Sequence, residues 1–223
     1  MSLKKFSEVL QTALTLAGFE NQTEFQKKAI SKYKEGKDFI GIGPEGCGKT
    51  TSIVTGVIQK LGDASDDDAP RAVIIVQDKA RAVILEDEFA RLGRRTELRV
   101  VLAHEKGKKV HQRIDLYLGA DIVIGTGKRL FEMYHQNGLN MGNLKIFVID
   151  DAEEIFKSGL AFQINRLSES IKKCQYVVLN DKLTDRVKTS TETFMFMPSL
   201  IDIKEEVIVD SDEVVEGTDE EEA

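Results

Sequence analysis

The run Asp38-Phe39-Ile40-Gly41-Ile42, followed at once by Gly43-Pro44-Glu45-Gly46-Cys47-Gly48-Lys49-Thr50, decides the fold. The second half fits G-x-x-x-x-G-K-[ST], the glycine-rich phosphate loop, at every fixed position. The chemistry explains the spacing. Gly43, Gly46 and Gly48 let backbone N–H groups turn inward around phosphates, Cys47 adds one more, and the helix opening at Thr50 and Thr51 offers its positive end. Lys49 can reach the terminal phosphates, and the Thr50 hydroxyl can ligate Mg²⁺. An apolar strand before the loop and an amphipathic run after it is the context such a motif needs.

Outward from this loop, short Val/Ile-rich runs at 38–42, 72–77, 99–103, 121–125, 145–149 and 176–179 read as strands. Several are apolar nearly throughout, as expected where both faces of a parallel strand are covered. Helical patterns at 51–61, 80–92, 110–118 and 161–172 alternate with them, and residues 1–36 read as two helices ahead of the first strand. The βαβα order predicts a three-layer α/β/α domain on a mainly parallel sheet over 37–205, with nucleotide at the C-terminal edge of the strands. Residues 62–70, GDASDDDAP, read as a polar loop.

A second acidic site completes the pattern. In LKIFVIDDAEEIF, residues 144–156, a strand-like run ends in Asp150 and Asp151. Asp150 is placed to hold the water shell of Mg²⁺, and Asp151 to orient an attacking water as general base. Asp151 and Lys49 are therefore the catalytic candidates, and Thr50 and Asp150 the metal candidates. The same two carboxylates also suit the start of a helix with no catalysis involved.

Charge is unevenly spread. Residues 204–223 hold ten carboxylates and one lysine, so of the formal net charge of −7 the first 203 residues contribute +2, 30 basic against 28 acidic. The segment 206–223 is expected to be a disordered acidic tail, serving as a solubilising end or as a nucleic-acid mimic competing for a basic groove. Arg91, Arg94, Arg95, Arg99, Lys106, Lys108, Lys109 and Arg113 form the most basic region, either a solvated face or part of a nucleic-acid surface. No run approaches the roughly 18 apolar residues of a membrane span, and Cys47 and Cys174 lack metal-ligand spacing. A reduced, cytoplasmic setting without membrane contact is expected.

Read together, these motifs resemble the first RecA-like lobe of the DEAD-box RNA helicases. GFENQTEFQ, residues 18–26, is similar to the family's adenine-reading Q motif, with Thr23 and Gln26 in place and Gln22 where proline is usual. The resemblance implies that Gln26 reads the adenine edge, favouring ATP. The stretch QRIDLYLGADIVIGTGKRL, residues 112–130, resembles the Thr-Pro-Gly-Arg region that grips single-stranded RNA, giving Thr126, Lys128 and Arg129 as nucleic-acid candidates. Asp150-Asp151-Ala152-Glu153 stands for Asp-Glu-Ala-Asp.

Departures from the family pattern shape the expected activity. Asp151 is one methylene shorter than the family glutamate, so hydrolysis is expected to be slow or absent. The segment Pro-Thr-Arg-Glu-Leu-Ala reads Gln77-Asp78-Lys79-Ala80-Arg81-Ala82, of which only the last alanine matches, so one of the RNA contacts is expected to be weaker. Ser-Ala-Thr reads Asn180-Asp181-Lys182, putting the link between hydrolysis and strand separation in question. After FMPSLIDIKEEVIV, residues 196–209, the sequence enters the acidic tail, and the expectation is that no second lobe supplies arginine fingers. The expected function is a single lobe that binds ATP with Mg²⁺ and single-stranded RNA but does not unwind alone. A protein partner supplying the second lobe or an arginine finger would restore turnover. The alternative is a nucleotide-dependent adaptor that binds a protein partner, such as a helicase or a ribosomal particle.

Overall fold

Seven strands among the described residues, all running the same way, form one sheet. The computed structural model describes residues 6–19 and 21–204, so the expected acidic tail at 206–223 lies outside the described residues. The strands are β1 (Phe39–Ile42), β2 (Ala72–Val76), β3 (Val100–Ala103), β4 (Ile122–Thr126), β5 (Ile146–Ile149), β6 (Gln175–Asn180) and β7 (Ser199–Asp202), in the order β3-β4-β2-β5-β6-β1-β7. Every neighbouring pair is parallel. The helices are α1 (Glu8–Leu16), α2 (Glu24–Glu35), α3 (Lys49–Leu61), α4 (Lys79–Leu92), α5 (Lys109–Tyr117), α6 (Gly127–His135), α7 (Ala152–Lys157), α8 (Ala161–Glu169) and α9 (Asp185–Thr191). Among the described residues no helix is long and apolar enough to cross a membrane.

The period-two alternation of each strand sorts its side chains into two cores. Phe39, Ile74, Val76, Ile124, Val148 and Val177 face one layer, with Leu10 and Leu14 of α1, Phe25 and Ile30 of α2, Val57 of α3 and Leu85 and Phe89 of α4. Ile40, Val73, Ile75, Val123, Phe147, Ile149 and Val178 face the other, against Leu116 of α5, Leu130 and Met133 of α6, Ile155 of α7, Ile164 of α8 and Val187 of α9. Each central strand thus contacts apolar groups on both sides, which is why its sequence is continuous Val and Ile. The expected three-layer architecture is the observed one.

The expected strands each match an observed strand to within a residue or two at their ends. One strand escaped the sequence reading: β7, where only Ile201 is buried, pairs with β1 as an edge strand and so lacks the apolar run of the central ones. Helices α6, α7 and α9, of nine, six and seven residues, lie outside the helical patterns expected from the sequence. The two N-terminal helices are part of the main core. Helix α2 packs against α3 through Tyr33, whose ring lies where a Cβ on Gly56 would be 2.3 Å from it.

Candidate nucleotide-binding site

The parallel sheet brings the C-terminal ends of β1, β2, β5 and β6 to one edge, and the candidate site is built there. Between β1 and α3 the loop turns through Gly46 (φ 79°) and Gly48 (φ 99°), both in the left-handed region that glycine adopts without strain. Gly48 is further constrained by space: a Cβ there would lie 2.5 Å from Nε2 of Gln26. Gln26 and Thr23 form a reciprocal cap at the start of α2, Gln26 N–H donating to Thr23 Oγ1 at 3.2 Å and Thr23 N–H to Gln26 Oε1 at 3.0 Å. The Thr23 hydroxyl then donates to the Cys47 carbonyl at 2.7 Å. Thr23 thus braces the phosphate loop, held in the same cap as Gln26, the residue that the resemblance assigns to the adenine edge. Burial pushes the Cys47 thiol above its ordinary range.

Lys49, the first residue of α3, is only 8% exposed. Its Nζ donates to the carbonyls of Gly43 at 2.5 Å and Pro44 at 3.0 Å, and to Oδ1 of Asp181 at 2.6 Å. Thr51 on the next turn donates its hydroxyl to Glu88 at 3.5 Å.

At the end of β5, Asp150 is fully buried and its N–H donates to the Ile75 carbonyl of β2 at 3.0 Å. Asp151 follows with φ 58°, a left-handed conformation that aspartate tolerates better than glutamate. Burial, then the neighbouring Asp150, push the Asp151 carboxyl above its usual range, against the pull of Arg81 and Lys49. Glu45, Gly46, Gly48, Lys49, Thr50, Thr51, Arg81, Asp151 and Asp181 line one open pocket of about 450 Å³.

Arg81 is the feature that the sequence reading did not place. Asp78, the N-cap of α4, accepts the Arg81 N–H at 2.9 Å and so sets the first turn of the helix at the end of β2. From there the guanidinium reaches across the edge. Nε donates to Asp150 Oδ2 at 2.6 Å, Nη2 donates to Thr50 Oγ1 at 2.9 Å, and Asp151 Oδ2 is 3.8 Å away. Burial pulls the Arg81 pKa down, but the hydrogen bond and charge of Asp150 outweigh it and hold the group more firmly protonated than usual. Thr50 and Asp150 are the oxygen donors expected for Mg²⁺, and both are already bridged by a cation. As arranged, with the guanidinium on Thr50 Oγ1 and Asp150 Oδ2, these residues do not fit a metal ion bridging those two oxygens; the buried Asp150 Oδ1 has no hydrogen-bond partner among the described residues.

Behind the site, Asn180 accepts the Glu153 N–H at 3.0 Å, and Glu153 takes hydrogen bonds from Thr184 and Arg186. The segments following β5 and β6 are therefore tied together by side chains.

The three nucleic-acid candidates are placed differently. Thr126 and Arg129 are 5% and 6% exposed, whereas Lys128 is exposed. The Thr126 hydroxyl donates to Glu105 at 2.7 Å. Arg129 donates to Gln112 Oε1 at 2.7 Å and to the carbonyls of Gly107 and Glu105 at 3.3 Å. Both turn inward and hold the segment between β3 and α5, with β2, β5 and β6 lying between β4 and the strand β1 that carries the phosphate loop. Of the basic region, Arg99 is occupied by Asp121 and Asp68, and Arg91 pairs with Glu88 and stacks 5.0 Å from the Phe19 ring centre. These two arginines serve the fold.

The family model described as DEAD/DEAH box helicase matches residues 23–188. The ATP-dependent RNA helicase CshA of Listeria monocytogenes is 27% identical over 208 residues, covering 91% of this chain and 40% of that protein. Eukaryotic initiation factor 4A of Caenorhabditis elegans is 26% identical over 190 residues, covering 85% and 47%. The ATP-dependent RNA helicase ddx54 of Dictyostelium discoideum is 29% identical over 170 residues, covering 76% and 16%. Among solved structures, a DEAD box protein from the hyperthermophile Methanococcus jannaschii superimposes with a TM-score of 0.83 at 22% identity, covering 89% of this chain and 54% of the other. Saccharomyces cerevisiae dbp5, in a complex with gle1, superimposes with a TM-score of 0.80 at 18% identity, covering 91% and 52%. The chain spans less than half the length of these three curated relatives. The phosphate loop, the paired aspartates at the end of β5 and a match over most of the described residues lead to one assignment: the chain belongs to the DEAD/DEAH box helicase family.

Proposed function

We propose that this chain is an ATP- and RNA-binding helicase lobe with weak or no ATP hydrolysis by itself and no unwinding by itself. One observation carries the reading: the phosphate loop, Asp151 and Asp181 line a single pocket at the sheet edge, with the buried Asp150 directly behind it. The relatives named as ATP-dependent RNA helicases support ATP and RNA as its ligands. Slow turnover follows from the short carboxylate of Asp151 and from the ion pairs that occupy Lys49 and Arg81. Arginine fingers from a second lobe or a protein partner would supply the rate, roughly 10³–10⁵-fold in phosphoryl transfer generally.

The test is calorimetric titration of ATP into the wild-type protein and Lys49→Ala, repeated with single-stranded oligouridylate present. Binding that weakens at least about tenfold in Lys49→Ala and tightens with RNA supports the reading. Binding of ATP with no response to RNA removes the RNA part of it.

A second reading, a nucleotide-dependent adaptor for a protein partner, is favoured by a different observation. Helix α5 and its cap expose Val110, Ile114, Tyr117 and Leu118 at helical spacing, an apolar stripe on the surface. The inward turn of Thr126 and Arg129 agrees with it. The two readings part on whether RNA changes ATP affinity.

A further inference from the structure

Thr50 and Asp150 would hold a metal by lone pairs, at oxygen–magnesium distances of roughly 2.0–2.1 Å. One oxygen of each accepts a hydrogen bond here from a single guanidinium, Nη2 of Arg81 on Thr50 Oγ1 at 2.9 Å and Nε on Asp150 Oδ2 at 2.6 Å, while the buried Asp150 Oδ1 has no partner among the described residues. The fold fixes this contact. Asp78 caps α4 on the Arg81 N–H, and β2 lies beside β5 with Ile75 opposite Ile149, so the first turn of α4 stands next to the buried Asp150.

The third guanidinium nitrogen, Nη1, makes no hydrogen bond among the described residues, and Arg81 lines the phosphate pocket with Lys49. A guanidinium is a planar fork that matches phosphate oxygens and keeps its charge at any ordinary pH. Leucine, the family residue at this position in the resemblance drawn above, supplies neither charge nor donors. The positive charge at the metal position therefore comes from this chain's own side chain.

We propose that Arg81 replaces the divalent cation: the chain binds a nucleoside triphosphate without Mg²⁺, with Lys49 and Arg81 neutralising the phosphates from two sides. The proposal rests on the nucleotide-binding reading above and specifies its chemistry. A divalent ion entering between Thr50 and Asp150 meets a guanidinium at contact distance. Displacing that guanidinium breaks two hydrogen bonds, one of them to a carboxylate with no exposure to water.

The test is calorimetric titration of ATP into the whole chain in excess EDTA and in millimolar MgCl₂, for wild type and Arg81→Leu. Leucine is the family residue, and thermal melting followed by circular dichroism checks that the variant is folded. Expected are wild-type affinities within about threefold of each other in the two buffers. Arg81→Leu should bind weakly in EDTA and recover at least about tenfold with Mg²⁺. A wild type that binds at least about tenfold more tightly with Mg²⁺ overturns the proposal, since the metal then displaces the arginine. A wild type that binds in neither buffer while Arg81→Leu binds Mg-ATP also overturns it, making Arg81 a block. If neither protein binds in either buffer, the nucleotide reading falls first and this proposal with it.

Discussion

Nζ of Lys49 lies 2.6 Å from Oδ1 of Asp181, a carboxylate that follows β6 directly and is half exposed to water. In the family segment quoted above the corresponding residue is alanine, which has no charge to pair with a lysine. It sets a competitor beside the phosphate site: an incoming triphosphate must take Lys49 from Asp181 and accept a carboxylate as neighbour.

Replacing Asp181 by alanine should therefore tighten ATP binding. Exposed ion pairs contribute about 0.2–1 kcal/mol, and removal of a like charge facing the phosphates adds to that, so a gain of about two- to tenfold in affinity is expected. Calorimetry on Asp181→Ala reads it directly. A weaker affinity would mean that Asp181 orients Lys49 toward the ligand and does not compete for it.

The buried carboxylate of Asp121, between β3 and β4, gives a prediction about pH. Asp121 accepts from Arg71 Nη2 at 2.6 Å and Arg99 Nε at 3.0 Å, and from the backbone N–H groups of Ser65 and Arg99. Burial pushes its pKa up, but the hydrogen bonds from Arg99, Arg71 and Ser65 together outweigh that and hold it below the ordinary 3.8. A lowered folded-state pKa means stability that is complete above the unfolded-state value and is lost as pH falls through the folded-state value. Urea unfolding from pH 7 down to about 3 should show that loss in the wild type and a smaller one in Asp121→Asn. At neutral pH, Asp121→Asn should already cost about 3–5 kcal/mol, because it leaves the Arg71 charge buried without its partner. Equal acid sensitivity in the two proteins would move the effect to other carboxylates.

The contact between α2 and α3 is tight enough to reverse a usual substitution rule. Gly56→Ala in a helix interior ordinarily gains up to about 1 kcal/mol. Here the added Cβ would lie 2.3–2.5 Å from three atoms of the Tyr33 ring, itself buried edge-on against Phe39. Overpacking of this kind costs about 1–3 kcal/mol, so a net loss of stability is expected, seen as a lower thermal midpoint. A rise in the midpoint would show that Tyr33 can withdraw at little cost.

What was legible in the sequence followed from physical demand on particular residues. Ala72-Val73-Ile74-Ile75-Val76 read as a strand because a parallel strand buried on both faces admits little else. The loop from Gly43 to Thr50 read as a phosphate site because backbone must turn through Gly46 and Gly48 at positive φ. Strand β7 did not read, because an edge strand with a single buried residue carries no such demand. Arg81 and Asp181 did not read as site residues for another reason. Their contacts with Asp150 and Lys49 span 69 and 132 positions and exist only because β1, β2, β5 and β6 end at the same sheet edge. The family letters at Thr126 and Arg129 also left the direction of those side chains open.

That direction separates two variants on neighbouring residues. Arg129 is enclosed by Gln112, Gly107 and Glu105, so Arg129→Ala removes hydrogen bonds from one buried acceptor, Gln112 Oε1, and two part-buried carbonyls, and should cost about 1–3 kcal/mol of stability. Lys128 next to it is exposed. As a phosphate contact, Lys128→Ala should leave the urea midpoint unchanged, weaken single-stranded RNA binding at low salt, and reduce the dependence of log Kd on log salt by about one. Fluorescence anisotropy with labelled oligouridylate at several salt concentrations, beside urea unfolding of both variants, measures the two effects. If Arg129→Ala keeps full stability but loses RNA, the side chain turns outward to the nucleic acid when it binds, and the resemblance describes its work better than its hydrogen bonds do. If Lys128→Ala changes neither quantity, the end of β4 is no part of an RNA surface, and the exposed stripe of Val110, Ile114 and Tyr117 on α5 becomes the contact to test.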